Sequence, residues 1–412
     1  MQDRIVISGM GTLNPLGSSV RESWQQAING VSGVGPITQF DAQDFLAQIA
    51  CEVKGFRPED FLPAKETRRR DRFEQLAAAA AQEAIRQAGL DESQVKPGRV
   101  SSIVSSAVGG LGSFQDAVEA VTQEGPRRIG PFVIPMFMAN GAAGMVAIDH
   151  GFRGPSFAVV SACASGADAI GTAWMMLKVG VIDVAVAGAS DASITEVAIA
   201  AFDRLGALSR RNGDHPVTPQ PFDLNRDGFV MGEGAAILVL ERESHARSRG
   251  AEILAELAGY AATADAYHVT APSKEGAGGA QAIILALESA GLNADQVDYI
   301  NAHGTATPLN DVSETRAIKA AFGDLAYKIP VSSTKSMTGH MMGTTGALEA
   351  IFCVQAVREN ILPPTINYQT PDPACDLDYV PNQARETPVR VAISNAFGFG
   401  GHNAVLVIRE YN

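Results

Sequence analysis

Cysteine is scarce in this chain, whose 412 residues include Cys51, Cys163, Cys353 and Cys375 and no other cysteine. No two of these residues form a CxxC pair, which excludes a zinc ribbon and a thioredoxin-type redox motif. A chain of this length buries a large core without disulfide bonds, and a cytosolic setting would keep such bonds reduced. We therefore expect free thiols.

Long apolar runs are also missing. No segment reaches the roughly 18 uncharged apolar residues of a membrane-spanning helix. The stretch that comes nearest, residues 159–188, contains Asp168, Lys178 and Asp183. The apolar run near the N-terminus is too short for a secretory signal peptide. We therefore expect a cytoplasmic protein that acts without a membrane.

Positive charge is in deficit, because 45 acidic residues and 32 lysines and arginines give a formal net charge of -13. This balance argues against nucleic acid as a general partner. Nucleotide motifs are missing too: there is no P-loop, and "GMGTLN" has Asn14 where a dinucleotide fingerprint needs its third glycine. "DLNRDG" begins like a calcium loop, but Gly234 stands where that loop needs a bidentate glutamate. We interpret the segment as a structural turn.

What the chain does contain is an alternation of strands and helices. "VIDVAVAGAS", "GAAILVLE", "QVDYINAHGTATP" and "VRVAISNAFGFGG" are rich in Val, Ile and Ala, as buried strands are. "FEQLAAAAAQEAIRQAGL", "AQAIILALESAGL" and "TTGALEAIFCVQAVREN" have the composition of helices. This pattern predicts a layered α/β fold whose sheets are covered on both faces. A faint echo links "VAVAGAS" near the middle with "VAISNAF" near the end.

Cys163 lies in "SACASGADAIG", where small residues surround it at the predicted start of a helix. Unsatisfied N–H groups and the helix dipole favour a thiolate at such a position, and the small neighbours leave room for a ligand. The alternative is a buried, inert cysteine, since free cysteine is often part of the core. The stretch alone leaves both interpretations open.

Two histidines favour chemistry at Cys163. His303 follows a strand in "NAHGTATP", and His340 lies in "STKSMTGHMMG", five residues after Lys335. Hydrogen-bonded structural histidines are one alternative, and zinc ligands are another, although no HxxxH spacing supports zinc. A thiolate that accepts an acyl group and two imidazoles that stabilise an enolate would suit carbon–carbon bond formation on thioesters.

Six motifs occur in order along the chain: "ACASG", "PFDLNRDGFVMGEGA", "NAHGTATPLND", "SSTKSMTGH", "PPTIN" and "SNAFGFGGHN". Together they resemble the β-ketoacyl-acyl-carrier-protein synthases, most closely the class II condensing enzymes of fatty-acid synthesis. The resemblance implies a thiolase-like α/β fold of two similar halves in five layers, α-β-α-β-α, which we place at residues 1–250 and 251–412. It also implies a homodimer.

The same resemblance implies a decarboxylative Claisen condensation of acyl-ACP with malonyl-ACP to give 3-oxoacyl-ACP. Cys163 would accept the acyl group, His303 and His340 would act on the malonyl thioester, and Lys335 would support the histidines. No cofactor is implied, because the substrates are carried on the phosphopantetheine arm of acyl carrier protein. The resemblance further implies that Thr305 and Thr307 contact this arm and that Val108 and Phe202 lie along the acyl chain. Phe399 would be a gate, and its backbone N–H would form an oxyanion hole with that of Cys163. No catalytic metal is implied, but a monovalent cation would be bound by Asn301, Glu349, Ser394 and Asn395.

At some positions the residue differs from the one that is usual in the family, and these differences leave the preferred length of the acyl chain undetermined. Ala164 stands where threonine is usual, and Val108 stands where a bulkier isoleucine is common. A ketosynthase of a type II polyketide or aryl-polyene pathway would share these motifs. A biosynthetic thiolase fits less well, because it would have a second cysteine at the position of His340. A non-catalytic partner subunit would lack Cys163.

A basic cluster interrupts the acidic composition in "AKETRRRDRF" and "GPRR". If the first segment is one helix, Lys65, Arg68, Arg69 and Arg72 share a face. We expect this cluster to dock the acidic carrier protein, although a solvated helix face is the common alternative. The predicted docking residues are Lys65, Arg68, Arg69, Arg127 and Arg128.

Overall fold

A computed structural model describes residues 3–90, 95–213 and 215–412 of the chain. Its strands form one large sheet and two small ones. The strands are β1 (Ile5–Leu13), β2 (Gly35–Pro36), β3 (Ile49–Cys51), β4 (Val100–Ser105), β5 (Val184–Asp191), β6 (Met231–Gly232), β7 (Gly234–Arg242), β8 (Ala255–Ala264), β9 (Tyr299–Asn301), β10 (Val331–Ser332), β11 (Ile361–Leu362), β12 (Arg385–Glu386), β13 (Val391–Gly398) and β14 (His402–Arg409).

The helices alternate with these strands, as the composition of the chain predicts. α3 begins with a capping box in which Asp71 and Glu74 bond to each other's backbone. The helices are α1 (Val20–Ile28), α2 (Ala64–Thr67), α3 (Arg72–Ala88), α4 (Leu111–Glu124), α5 (Val133–Phe137), α6 (Gly141–Asp149), α7 (Ser165–Lys178), α8 (Glu196–Arg204), α9 (Glu243–Ser248), α10 (Ala277–Ala290), α11 (Pro308–Phe322), α12 (Lys335–Thr338) and α13 (Thr344–Glu359). Within the described ranges, no helix is both long enough and apolar enough to cross a membrane.

The large sheet contains the same strand arrangement twice. Its order is β10-β9-β13-β14-β8-β1-β7-β5-β4. In the first half β1 pairs antiparallel with β7, β7 antiparallel with β5, and β5 parallel with β4. In the second half β8, β14, β13 and β9 repeat these three pairings in the same sequence. The two copies join where Val6 pairs with Glu256 and Ile7 with Ala255.

Helices complete a five-layer arrangement. α7 and α13 contact each other and pack between the two halves of the sheet, and every residue of α13 from Thr344 to Val357 is buried. α3 covers the outer face of the first half, and α10 and α11 cover that of the second. The predicted layered α/β fold with two similar halves is confirmed, and the echo between "VAVAGAS" and "VAISNAF" corresponds to β5 and β13, which occupy equivalent positions.

Candidate active site

Cys163 lies at the N-terminal entrance of α7. Residues Ala162–Ala164 form a short 3-10 turn that leads directly into the helix, and Cys163 is 9% exposed. Ala162 has a φ of 53°, a left-handed conformation that is strained for a residue with a side chain. The small residues in this stretch permit close packing: a side chain at Gly166 would collide with Gly343 and Ala347, because α7 and the start of α13 are in direct contact there.

Both predicted histidines face this sulfur. His303 follows β9, and His340 lies between α12 and α13, with its Nε2 atom 3.1 Å from Sγ of Cys163. The two imidazole rings have centroids 5.4 Å apart and are nearly perpendicular. One ligand atom from each of the three residues lies within 4.8 Å of the other two. The three side chains that the sequence predicts to act together therefore form one cluster.

Buried hydrogen bonds hold in place the two loops that contain His303 and His340, which are called the histidine loops below. Glu314 on α11 accepts hydrogen bonds from the backbone N–H groups of His303 and Gly304, both at 2.7 Å. Nδ1 of His340 lies 3.1 Å from Oγ1 of Thr345, and this oxygen also accepts the N–H of Met341. The backbone at His303 is thus held by a group on α11, and the ring of His340 is oriented by a group on α13.

The cluster carries a fixed positive charge close to the histidines. Lys335 donates a 2.7 Å hydrogen bond to Glu349, and both side chains are 1% exposed. Burial, together with the charge of Lys335, lowers the pKa of His303 and of His340 well below its ordinary value. Both imidazoles are therefore neutral around pH 7, and each has one nitrogen that accepts a proton and one that donates.

The thiol of Cys163 is also neutral at rest. Burial raises its pKa to about 11, although the backbone N–H of Phe399 and the charge of Lys335 act in the opposite direction. The partners thus lower this pKa, as expected, but burial outweighs them, so the expected net lowering of the Cys163 pKa is wrong. The backbone N–H groups of Phe399 and of Cys163 itself both lie close enough to the sulfur to lower its pKa, and these two groups are the donors that the predicted oxyanion hole would use.

A cavity of about 520 Å³ opens onto the sulfur. Its wall is predominantly apolar, and it includes every residue that the resemblance assigns to the acyl chain and the carrier arm: Val108, Phe202, Thr305, Thr307 and Phe399. The hydroxyl oxygens of Thr305 and Thr307 are 3.0 Å apart. The ring of Phe399 lies against that of Phe202, with a centroid distance of 6.2 Å. Among the other apolar residues of the wall, which sequence reasoning did not name, are Leu205, Phe229 and Met342.

Buried polar atoms without a hydrogen-bond partner among the described residues occur at the four residues that the resemblance places around a cation. These atoms are Nδ2 and Oδ1 of Asn301, Oε2 of Glu349, Oγ of Ser394 and Oδ1 of Asn395. Asn301 and Ser394 are paired on neighbouring strands, β9 and β13. Burial raises the pKa of Glu349 to about 8. Unpartnered buried oxygens are rare, and an ordered water or an ion is their usual partner.

The basic segment differs from its prediction. Residues 65–72 are not one helix, because α2 ends at Thr67 and Asp71 begins α3 as its N-cap. Arg70 is buried in an ion pair with Asp149, and Arg72 pairs with the buried Glu233. Of the predicted docking residues, Arg69 pairs with Glu66 and Arg128 with Glu124. Lys65, Arg68 and Arg127 have no ion-pair partner within the described part of the chain.

Sequence reasoning missed several supporting residues. One of them, Asp191 at the end of β5, accepts hydrogen bonds from Ser106, Ala107 and Thr344, so it joins the Val108 loop to α13. The sequence does contain a signal that could have identified Glu314 as a supporting residue. Glu314 lies one helical turn before Ile318 on the buried face of α11, where an acidic residue is unusual.

Comparisons with known proteins identify the family to which the chain belongs. The family description "Beta-ketoacyl synthase, N-terminal domain" matches residues 2–246, and "Beta-ketoacyl synthase, C-terminal domain" matches residues 254–369. A 3-oxoacyl-(acyl-carrier-protein) synthase 2 of Synechocystis sp. is 47% identical over 408 residues, which are 99% of this chain and 98% of that protein.

Solved structures of similar proteins superpose on the whole chain. One is a ketosynthase in complex with its type II polyketide acyl-carrier protein, with a TM-score of 0.93, 35% identity and coverage of 100% of both chains. Another is the ishigamide ketosynthase/chain length factor, with a TM-score of 0.93, 36% identity and the same coverage.

Proposed function

The chain belongs to the β-ketoacyl synthase family, and on this premise we propose that it is an elongating 3-oxoacyl-ACP synthase of fatty-acid biosynthesis. It would condense acyl-ACP with malonyl-ACP to give 3-oxoacyl-ACP, CO2 and free ACP. The observation that carries this proposal is the neutral thiol of Cys163 beside Nε2 of His340, under two N–H donors and at the end of an apolar cavity. The proposal retains the cytoplasmic location expected from the sequence.

The first stage transfers the acyl group to Cys163. The thioester carbonyl oxygen occupies the position between the N–H groups of Cys163 and Phe399. Nε2 of His340 takes the thiol proton as the sulfur attacks, and the proton then passes to the sulfur of the departing phosphopantetheine arm. A C–S bond forms at Cys163, another breaks at the arm, and charge is conserved.

The second stage forms the carbon–carbon bond. Malonyl-ACP loses CO2, and N–H groups of His303 and His340 stabilise the enolate oxygen that develops. For this stage His340 takes its other neutral tautomer, with the proton on Nε2 and with Nδ1 accepting from Oγ1 of Thr345, whereas Nε2 is the unprotonated nitrogen in the first stage. The carbanion attacks the acyl carbon on Cys163, and the sulfur leaves as a thiolate that carries the negative charge of the former malonyl carboxylate. One proton taken up from solvent returns it to the neutral thiol, which balances the loss of neutral CO2. Neutral imidazoles suit this stage, because each offers an N–H donor near pH 7.

We propose that no redox cofactor or catalytic metal takes part, because loss of CO2 drives the condensation. By donor type, the cluster of Cys163, His303 and His340 would also suit zinc. Its surroundings favour an anion instead, since two N–H donors point at the sulfur and Lys335 places a positive charge beside both histidines.

A monovalent cation is proposed at Asn301, Glu349, Ser394 and Asn395. Their unpartnered buried oxygens form a donor set of the kind that hard cations prefer, and a cation there would offset the cost of ionising Glu349. It would have a structural role. The melting temperature should rise with potassium or sodium over an equal concentration of tetramethylammonium, and an equal effect of all three ions would refute the site.

Acyl carrier protein and a second copy of the chain are the proposed partners. Exposed large apolar side chains concentrate between residues 114 and 160, and residues 156–157 extend along the open edge at β4. Such a surface favours an interface between subunits. The apolar residues are Phe114, Val118, Val121, Ile129, Phe132, Ile134, Met138, Ile148 and Val160.

A ketosynthase of a type II polyketide or aryl-polyene pathway is the alternative. Its support is the likeness to polyketide ketosynthases, which at 35% and 36% identity is weaker than the 47% identity to a 3-oxoacyl-ACP synthase 2. The two functions differ in the chain that is extended: a fatty-acid enzyme extends acyl groups from which the 3-oxo group has been removed by reduction, a polyketide enzyme extends a chain that keeps its oxo groups, and an aryl-polyene enzyme extends a conjugated polyene.

Separate assays of the two stages test the proposal. Intact-protein mass spectrometry with a ladder of acyl-ACPs should show the acyl mass on Cys163, and Cys163→Ala should abolish it. His303→Ala should impair malonyl decarboxylation more than acyl loading, because His303 stabilises the enolate that forms only during decarboxylation. Normal decarboxylation by His303→Ala would remove this residue from the mechanism, and repeated extension of an unreduced chain would favour the polyketide alternative.

A further inference from the structure

A buried polar link connects the turn that carries Cys163 with the second half of the molecule. Asp168 lies in the first turn of α7, and its carboxylate accepts a hydrogen bond from Oγ of Ser161 and another, at 2.7 Å, from the hydroxyl of Tyr260 on β8. Asp168 and Ser161 are 8% and 7% exposed, so water competes little for these bonds. None of the three residues lines the cavity that opens onto Cys163.

The position of Tyr260 is fixed by the surface of α7. Its ring lies so close to Gly171 that a side chain there would overlap the ring atoms. Gly171 is three residues after Asp168 and therefore on the same face of the helix. The missing side chain lets the tyrosine ring approach the helix, and the hydroxyl then reaches the Asp168 carboxylate. The helix and β8 are also joined by Trp174, which donates a 2.9 Å hydrogen bond to the carbonyl of Leu257.

The other end of the link is the backbone around Cys163. The N–H of Ser161 donates to Oγ of Ser165 at 2.9 Å, and Ala162, with its left-handed φ of 53°, lies between Ser161 and Cys163. A strained residue keeps this conformation only where its neighbours hold it, since such a backbone is unfavourable by itself. The Ser161 carbonyl and the Cys163 amide also pack against Gly398, next to Phe399.

We propose that Asp168 and Tyr260 are positioning residues for the nucleophile, which hold Ser161 and with it the strained turn that aims Cys163 at His340 and the oxyanion hole. The inference rests on the proposed role of Cys163 as acyl acceptor. When the link is broken, Ala162 relaxes toward an unstrained conformation. Sγ of Cys163 and its N–H then move relative to His340 and Phe399, while the cavity wall stays in place. Acyl transfer becomes slower, and substrate binding does not weaken.

Tyr260→Phe tests the link, because it removes one hydroxyl and keeps the ring that packs on Gly171. Tyr411→Phe is a matched control, because it also removes one tyrosine hydroxyl that donates a hydrogen bond, here to Glu243 at 2.8 Å. Neither Tyr411 nor Glu243 belongs to the site around Cys163. We expect the kcat of acyl loading to fall about five- to tenfold in Tyr260→Phe, as the loss of one buried hydrogen bond would produce, with KM within about twofold of the native value. Tyr411→Phe should load at the native rate.

Asp168→Ala and Asp168→Asn complete the series. Asp168→Ala should slow loading at least as much as Tyr260→Phe, and Asp168→Asn should restore most of the rate, because its amide oxygen accepts from Tyr260 and its NH2 donates to Ser161. If Asp168→Ala does not fold, Tyr260→Phe carries the test alone. Native loading kinetics in Tyr260→Phe, or a rise in KM without a fall in kcat, would overturn the proposal. Loading that persists in Cys163→Ala would instead refute the proposed function.

Discussion

Cys163 is the residue for which the structure most alters the interpretation drawn from the sequence. Its motif predicts the nucleophile and its two imidazole partners, and the structure brings all three together. The direction of its pKa was not predictable in the same way. The shift depends on how completely the loop around Phe399 and the histidine loops enclose the sulfur, and these segments come from the other half of the chain.

We predict that alkylation of Cys163 by iodoacetamide accelerates about tenfold per pH unit from pH 7 toward its raised pKa, because only the thiolate reacts. The pKa of about 11 places any plateau above pH 10. Peptide mapping should still find Cys163 labelled before Cys51, Cys353 and Cys375, which are at most 1% exposed. A plateau below pH 8 would show that the resting thiol is ionised.

Val108 offers a second test at this scale. It lines the cavity, and a larger side chain there removes volume available to an acyl chain. Val108→Phe should shorten the longest chain that loads onto Cys163, since each excluded methylene costs about 1–3 kcal/mol. Val108→Ile is the conservative comparison and should shorten it less. Mass spectra of the loaded protein measure both, and an unchanged chain-length profile in Val108→Phe would place the acyl chain elsewhere.

Among the elements, the long helices and strands followed from their composition, whereas the short basic segment did not. The spacing of Lys65, Arg68, Arg69 and Arg72 suggested one helix face, but Asp71 caps a new helix inside that run. Ion pairs with residues distant in sequence then remove Arg70 and Arg72 from the free surface. Local spacing contains no information about such partners.

Carrier docking is therefore predicted to depend on the arginines that remain unpaired. Arg68→Glu should raise the KM for acyl-ACP and reduce its salt sensitivity, because rim charges act mainly on encounter. A free pantetheine thioester needs no docking and should react as before. Arg358→Glu is a comparison variant, since it makes the same charge change near the far end of α13, at an arginine that pairs with Glu252. Equal loss on both substrates would point to misfolding rather than docking.

At the scale of the whole molecule, the site exists because the two halves meet. Cys163 and Phe202 come from the first half, and His303, His340 and Phe399 come from the second. The resemblance predicted this arrangement, since its motifs are distributed along the entire chain. The exposed apolar face between residues 114 and 160 was not predicted, because it becomes visible only when the burial of each side chain is known.

That face should make the protein a dimer. Ile134, which is 67% exposed, lies within it, and Ile134→Asp should reduce the mass in solution by half in light-scattering measurements at micromolar concentration. Val179, 75% exposed and at the end of α7, lies outside the face, so Val179→Asp should leave the dimer intact. A native protein that is monomeric until a different ketosynthase-like chain is added would instead indicate a heterodimer.

The meeting point of α7 and α13 also bears on the ancestry of the chain. The two helices occupy equivalent positions in the repeated halves, and their N-termini touch where the N–H of Gly166 donates to the carbonyl of Gly343 at 3.0 Å. Cys163 precedes one of these helices and His340 the other. A single-copy ancestor would have formed the same junction on the twofold axis of a homodimer, with two identical helix ends facing each other. Duplication and fusion would then have freed the two ends to diverge, one toward the nucleophile and the other toward the base.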